Sequence, residues 1–159
     1  MEDAPLGPAP RWAIIASGIL VLIGLGIASY MTYEHFTGST TLACSTTGTF
    51  NCLRVTTSAQ SYVLGIPVAV LGLGFFITAA VFYNPIAWLS RHRWVHVVRL
   101  VLAVVSMLFV LWLLYAELII IGSICEYCTG VHLVTFALFV ITLIAVPPML
   151  SPAGDELDE

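Results

Sequence analysis

Four long apolar runs dominate this chain: Trp12 to Tyr33, about Val63 to Tyr83, about Val95 to Gly122, and about Cys125 to Val146. A hydrocarbon core about 30 Å thick is crossed by ~20 helical residues, and each run reaches that length. The runs are continuously apolar, whereas barrel strands alternate. Hydrophobic residues make up 60% of the 159-residue chain and charged ones only 9%. Mean hydropathy is +1.03. A soluble domain carries roughly a quarter charged residues, so the solvent that fits this chain is lipid. The first run exceeds the ~7–15 residues of a leader's apolar region, and no small-residue cleavage site follows it. The expected fold is an all-α integral membrane protein, a four-transmembrane-helix bundle. Its helices fall at about 12–33, 63–83, 95–122 and 125–146, with a cysteine-containing loop over 34–62.

The arginines orient the bundle. Arg11 precedes the first helix, and Arg91, Arg93 and Arg99 surround the connection between the second and third. The positive-inside rule makes that side cytoplasmic, and Trp12, Trp88 and Trp94 mark the same interface. Arg54 alone falls on the other side. Both termini are then cytoplasmic: residues 1–11, and an acidic tail over 148–159, flank a membrane domain over 12–147. There is no lysine, the net charge is −4 and the arginines form no basic patch, so nucleic acid is not an expected partner. The "DELDE" end reads as a solvated terminus.

The four cysteines lie in two clusters. Cys44 and Cys52 sit in the threonine-rich "CSTTGTFNCLRVTTS", and Cys125 and Cys128 in "CEYC". Two crossings separate the clusters, so parity puts both at one membrane face, the oxidising one where disulfides persist. Ser123 followed by Glu126 fits a capping box, which would place Cys125 and Cys128 in the first turns of the last helix. Backbone N–H groups and the helix dipole there favour a thiolate, and a Cys-x-x-Cys pair closes a small ring reversibly. Two structural disulfides remain an alternative. Zinc fits poorly, because the Cys44–Cys52 gap is too wide for a close-spaced ligand pair, so no metal is expected.

Together, Cys44, Cys52, Ser58 six positions beyond it, "GIPVAVLG" opening a helix and "CEYC" opening the last one resemble the vitamin K epoxide reductase (VKOR) family. They resemble above all its prokaryotic disulfide-forming members, here without a fused thioredoxin domain, and the resemblance covers roughly Trp12 to Val146. The convergent disulfide-bond-formation protein B also has four helices and two thiol pairs, but its Cys-x-x-Cys lies in the early loop. The resemblance implies a quinone-dependent thiol oxidoreductase in a prokaryotic plasma or inner membrane. Cys44 and Cys52 would take electrons from a thioredoxin-fold disulfide oxidase on the extracytoplasmic side. Cys52 would pass them to Cys125, and Cys128 would deliver them to a quinone such as ubiquinone or menaquinone. Ser58 matches a loop Ser/Thr that organises the site. His132 stands where vertebrate members have tyrosine, and no asparagine opens the second helix. Both departures point to quinone rather than epoxide reduction, with vitamin K quinone or epoxide reduction the alternative.

Other residues carry two readings each. His132, one turn beyond Cys128, suits a hydrogen bond to a quinone oxygen or an interhelical contact. Glu117, an ionisable group inside a span, is a functional candidate by default. Tyr62 and Tyr127 suit either the rim of a quinone cavity or an aromatic belt. Glu126 reads as a cap, and Arg54 as a thiolate neighbour or an anchor. Gly18, Gly24, Gly26, Gly65, Gly72 and Gly74 are expected to permit close helix packing. Pro67 suits the start of the second helix, and Pro147 and Pro148 are expected to stop the last. A transporter lined by Glu117 and His132, or a static membrane protein, are the competing function classes.

Overall fold

The computed structural model describes residues 6–38 and 50–151. Helix α1 (Arg11–Thr37) ends where Gly38 turns left-handed at φ 60 and returns its N–H to the Glu34 carbonyl. Then come a short α2 (Cys52–Thr56), a 3-10 turn (Ala59–Ser61) and a two-residue hairpin of β1 (Tyr62–Val63) with β2 (Ile66–Pro67). Helix α3 (Val68–Phe82), a short α4 (Pro85–Trp88), α5 (Arg93–Tyr115) and α6 (Glu126–Leu150) complete the chain. Helix α5 runs on as a π-helical segment, Ala116–Ile121.

Among the described residues, three helices are long and apolar enough to cross a membrane: α1, α5 with its π-helical end, and α6. Helix α3 is equally apolar but has 15 residues, a length of about 22 Å at the α-helical rise. The helix expected over 63–83 therefore begins five residues late. Leu64 at φ 52 and Gly65 at φ 82 reverse the chain. Pro67 then offers no N–H and serves as the N-cap of α3 rather than a residue within it.

Helix α1 packs between α3 and α6, and α6 packs on α5, while α3 meets α5 far less closely. At Gly24 a Cβ would overlap the ring of Phe76, so α1 and α3 approach through that glycine. Gly18, Gly26, Gly72 and Gly74 have open space where a Cβ would go, and Gly65 belongs to the hairpin turn. Close packing thus holds at Gly24 alone of the six expected. A Thr32 hydroxyl shared between the Ala28 and Ala69 carbonyls ties the end of α1 to the start of α3.

The opposite end is held by residues that look interfacial in the sequence. Trp88 is fully buried and donates its indole N–H to the Ser17 hydroxyl. Arg99 is fully buried as well, its Nε and Nη2 both donating to the Phe82 carbonyl, at 3.1 and 2.7 Å. Its guanidinium lies 3.8 Å above the Trp88 ring centroid, with Nη1 2.9 Å from His96 Nδ1. Both side chains are packed inside the protein rather than on its surface: the last carbonyl of short α3 needs a donor, and Arg99 supplies two. Trp12 and Trp94 do remain exposed. The final helix does not stop at Pro147 and Pro148, but carries both inside it to Leu150. A proline removes one N–H and crowds one carbonyl, a defect that membrane helices accommodate near their ends.

Candidate thiol site and cavity

The loop after α1 reaches the last helix through its backbone. Phe50 forms a parallel bridge with Ile124, and the Asn51 N–H donates to the Ile124 carbonyl at 3.0 Å. Asn51 then caps α2, its side chain accepting the Arg54 N–H, so that Cys52 opens that helix facing inward. Cys52 is 1% exposed and Cys125 is fully buried. The two belong to one packed cluster with Met31, Val55 and Ile121. Residues over seventy positions apart in sequence are neighbours in space. Cys44 lies outside the described residues. Cys52 is disulfide-bonded, while Cys125 and Cys128 are free thiols.

The start of α6 differs from the expected capping box. Gly122 turns left-handed at φ 64, and its N–H and that of Ser123 both return to the Glu117 carbonyl. Ile124 is held extended by its bridge to Phe50. Helix α6 therefore begins later, and its N-cap is Cys125 itself, not Ser123. The Cys125 sulfur accepts the Cys128 N–H at 3.3 Å. Glu126 is exposed in the first turn, where its charge suits the dipole. Hydrogen bonding from the Cys128 side chain holds Cys125 below the usual thiol range. The backbone N–H groups of Cys128 and Tyr127 assist, while burial and the Glu117 charge oppose.

Cys128 packs against the same cluster and also lines a cavity of about 710 Å³ between α1, α3, α5 and α6. Such a volume lies in the usual range for ligand sites, ~300–1,000 Å³. Its wall is mainly apolar, from residues such as Leu71, Phe75, Phe109 and Val131, with Glu117 and His132 among its few polar groups. Glu117 is 4% exposed and lines the cavity together with Cys128, the two side chains within reach of each other. His132 is 5% exposed, and its Nδ1 has no hydrogen-bond partner among the described residues. A buried unpaired nitrogen on an apolar cavity is costly unless a ligand oxygen meets it.

The remaining sequence candidates divide. Ser58 lines the cavity edge, and its hydroxyl donates to the Val55 carbonyl at 2.7 Å, bracing the exit of α2. Tyr62 is at the rim, its hydroxyl 3.3 Å from His35 Nε2. Tyr127 is not part of the cavity wall: it packs on Tyr30, with ring centroids 5.2 Å apart. At N2 of α6 it projects away from the face that carries Cys128. Sequence reasoning missed Glu34 and His35, which line the cavity at the end of α1. Their signal was weak, since both read as the polar edge of the first span.

Fold and site define an all-α, multi-pass integral membrane protein built around a Cys-x-x-Cys pair that backs onto an apolar cavity. Residues 15–143 match the model of the vitamin K epoxide reductase family, and the chain belongs to that family. Membership makes it a membrane oxidoreductase of a family whose thiol chemistry is linked to quinones.

Proposed function

We propose that this protein reoxidises a thioredoxin-fold disulfide oxidase outside the cytoplasm and passes the electrons to a membrane quinone. The observation that carries this reading is the arrangement of the sulfurs: Cys52 and Cys125 share one buried cluster, and Cys128, packed against it, is the one of the three that lines the cavity. Electrons enter at Cys44, which a reduced partner attacks once it is disulfide-linked to Cys52. The Cys52 thiolate so released attacks the Cys125–Cys128 disulfide at Cys125, the sulfur it packs against. Position outweighs leaving-group strength here, although the lowered thiol of Cys125 would leave more readily than an ordinary one. When the partner's second thiol closes the partner's own disulfide, Cys44 is released and attacks Cys52; the Cys52–Cys125 bond breaks, and Cys125 leaves as the thiolate that can close the inner pair again.

The residues present fit a quinone. The cavity is apolar enough for a ring and isoprenoid tail, and the unpaired His132 Nδ1 supplies a polar contact for a ring oxygen. A bound quinone supplies a sink for two electrons and two protons. Glu117 and Tyr62 would flank it on the cavity wall, and Ser58 would brace the loop that covers it. The arginine-rich end, with Arg11, Arg91 and Arg93, is the cytoplasmic one in this reading.

The test is purified protein with a reduced thioredoxin-fold substrate, a quinone and each cysteine changed to alanine in turn. Cys125→Ala and Cys128→Ala are expected to abolish quinone reduction. Cys44→Ala and Cys52→Ala are expected to block electrons from the protein substrate while a small permeant dithiol still feeds the inner pair. Full turnover in the absence of all four cysteines would overturn the reading and favour a transporter.

A further inference from the structure

We propose that Glu117 is the proton partner of Cys128, giving a proton to that sulfur when the inner disulfide opens and taking it back when the disulfide closes. The inference rests on the relay proposed above, and the geometry motivates it independently of which quinone is used. Glu117 is buried on the cavity wall and faces the Cys128 thiol. No arginine or lysine forms a salt bridge with it among the described residues, so its burial is not explained as half of an ion pair. Its backbone carbonyl holds the Gly122 and Ser123 N–H groups, which fixes the side chain at the turn leading into Cys125.

The chemistry requires such a group. When the Cys52 thiolate forms a bond to Cys125, the Cys125–Cys128 bond breaks and Cys128 leaves with the electron pair. A bare thiolate in an apolar cavity is costly, and a protonated Glu117 removes that cost by transferring its proton, becoming a carboxylate. Closing the inner pair reverses the transfer. The Cys125 thiolate and Cys128 join in one S–S bond, the Cys128 S–H proton returns to Glu117, and two electrons pass to a quinone as acceptor, which takes its two protons from water. Glu117 is then again protonated for the next cycle. The other ionisable groups around it are Cys125 and His132 on α6, Glu34, His35 and Tyr62 at the rim, Cys52 on α2, and Arg54, which is exposed.

The test uses fully reduced, quinone-free protein in detergent. The rate of Cys128 alkylation by N-ethylmaleimide, read on its own peptide by mass spectrometry, is followed across about pH 5 to 10. A carboxyl and a thiol sharing one proton give thiolate in two steps, one for each proton lost by the pair. The wild-type profile is therefore expected to show a lower step that vanishes in Glu117→Gln and returns, displaced, in Glu117→Asp. Steps due to Cys125 or His132 survive all three proteins. Turnover of Glu117→Gln is expected to fall about 100-fold, the scale of a lost acid–base group. A lower step that persists in Glu117→Gln, or a profile with none in the wild type, overturns the proposal. If Glu117→Gln fails to fold, the Asp variant decides, since an undisplaced profile there counts against it. Absence of quinone turnover in wild-type protein with the Glu117 step intact would defeat the relay and leave this inference standing.

Discussion

Arg99 offers a prediction whose sign depends on weighing two effects. Changing it to methionine removes two charge-assisted hydrogen bonds to the Phe82 carbonyl and the stacking on Trp88. A hydrogen bond from a charged group contributes ~1.5–3 kcal/mol, and a desolvated cation–π contact ~2 kcal/mol. Because both N–H groups share one carbonyl, the pair is counted as one strong bond, giving a loss of about 3.5–5 kcal/mol. Against this, a buried arginine in a span carries a penalty of ~2.5–3.5 kcal/mol, which the neutral side chain relieves. The net expectation is a destabilisation of about 1 kcal/mol, or roughly 2–4 °C in melting temperature. Arg99→Lys keeps the charge but loses the planar fork and the stacking, so it is expected to be at least as damaging. The assay is thermal unfolding in detergent, followed by tryptophan fluorescence as Trp88, fully buried when folded, becomes exposed. A lysine variant as stable as wild type would refute the reasoning, as would a methionine variant that melts higher.

Three further expectations follow from the same coordinates. Gly24→Ala places a methyl in the Phe76 ring and is expected to cost ~1–3 kcal/mol, while Gly26→Ala, with open space, is expected to be neutral or mildly stabilising in the same melt. Cys125 is held below the ordinary thiol range chiefly by its hydrogen bond with Cys128, so its thiolate persists to lower pH than that of a free cysteine. Cys128→Ala is expected to raise its titration, and alkylation of the Cys125 peptide at neutral pH, measured on reduced protein, then slows. His132→Leu removes the unpaired nitrogen and is expected to raise the quinone KM about tenfold, one hydrogen bond of ~1–1.5 kcal/mol; His132→Gln is expected to recover part of it.

The apolar runs made most of the helices legible, because length and hydropathy decide what lipid accepts. They misled at "YVLGIP", where every residue is apolar yet Leu64, Gly65 and Pro67 impose a hairpin; periodicity cannot distinguish a turn whose residues are all greasy. The burial of Arg99 and Trp88 was not legible, because the positive-inside and aromatic-belt rules concern populations, not the carbonyl of one short helix in need of a donor. At the site, the cysteines, Glu117 and His132 stood out by chemistry alone. What brings Cys52 to Cys125 is a backbone bridge from Phe50 to Ile124, which no side-chain pattern announces. For the same reason the start of α6 was misplaced: Ser123 and Glu126 match a capping box, but the bridge keeps the chain extended until Cys125 caps the helix.

Trapping the exchange between Cys52 and Cys125 tests the relay most directly. In a protein carrying Cys44→Ser and Cys128→Ser, mild oxidation is expected to join the two remaining sulfurs, recovered as one disulfide-linked peptide pair on non-reducing mass spectrometry. Two separately alkylated peptides under the same oxidant would contradict the claim that electrons pass between them.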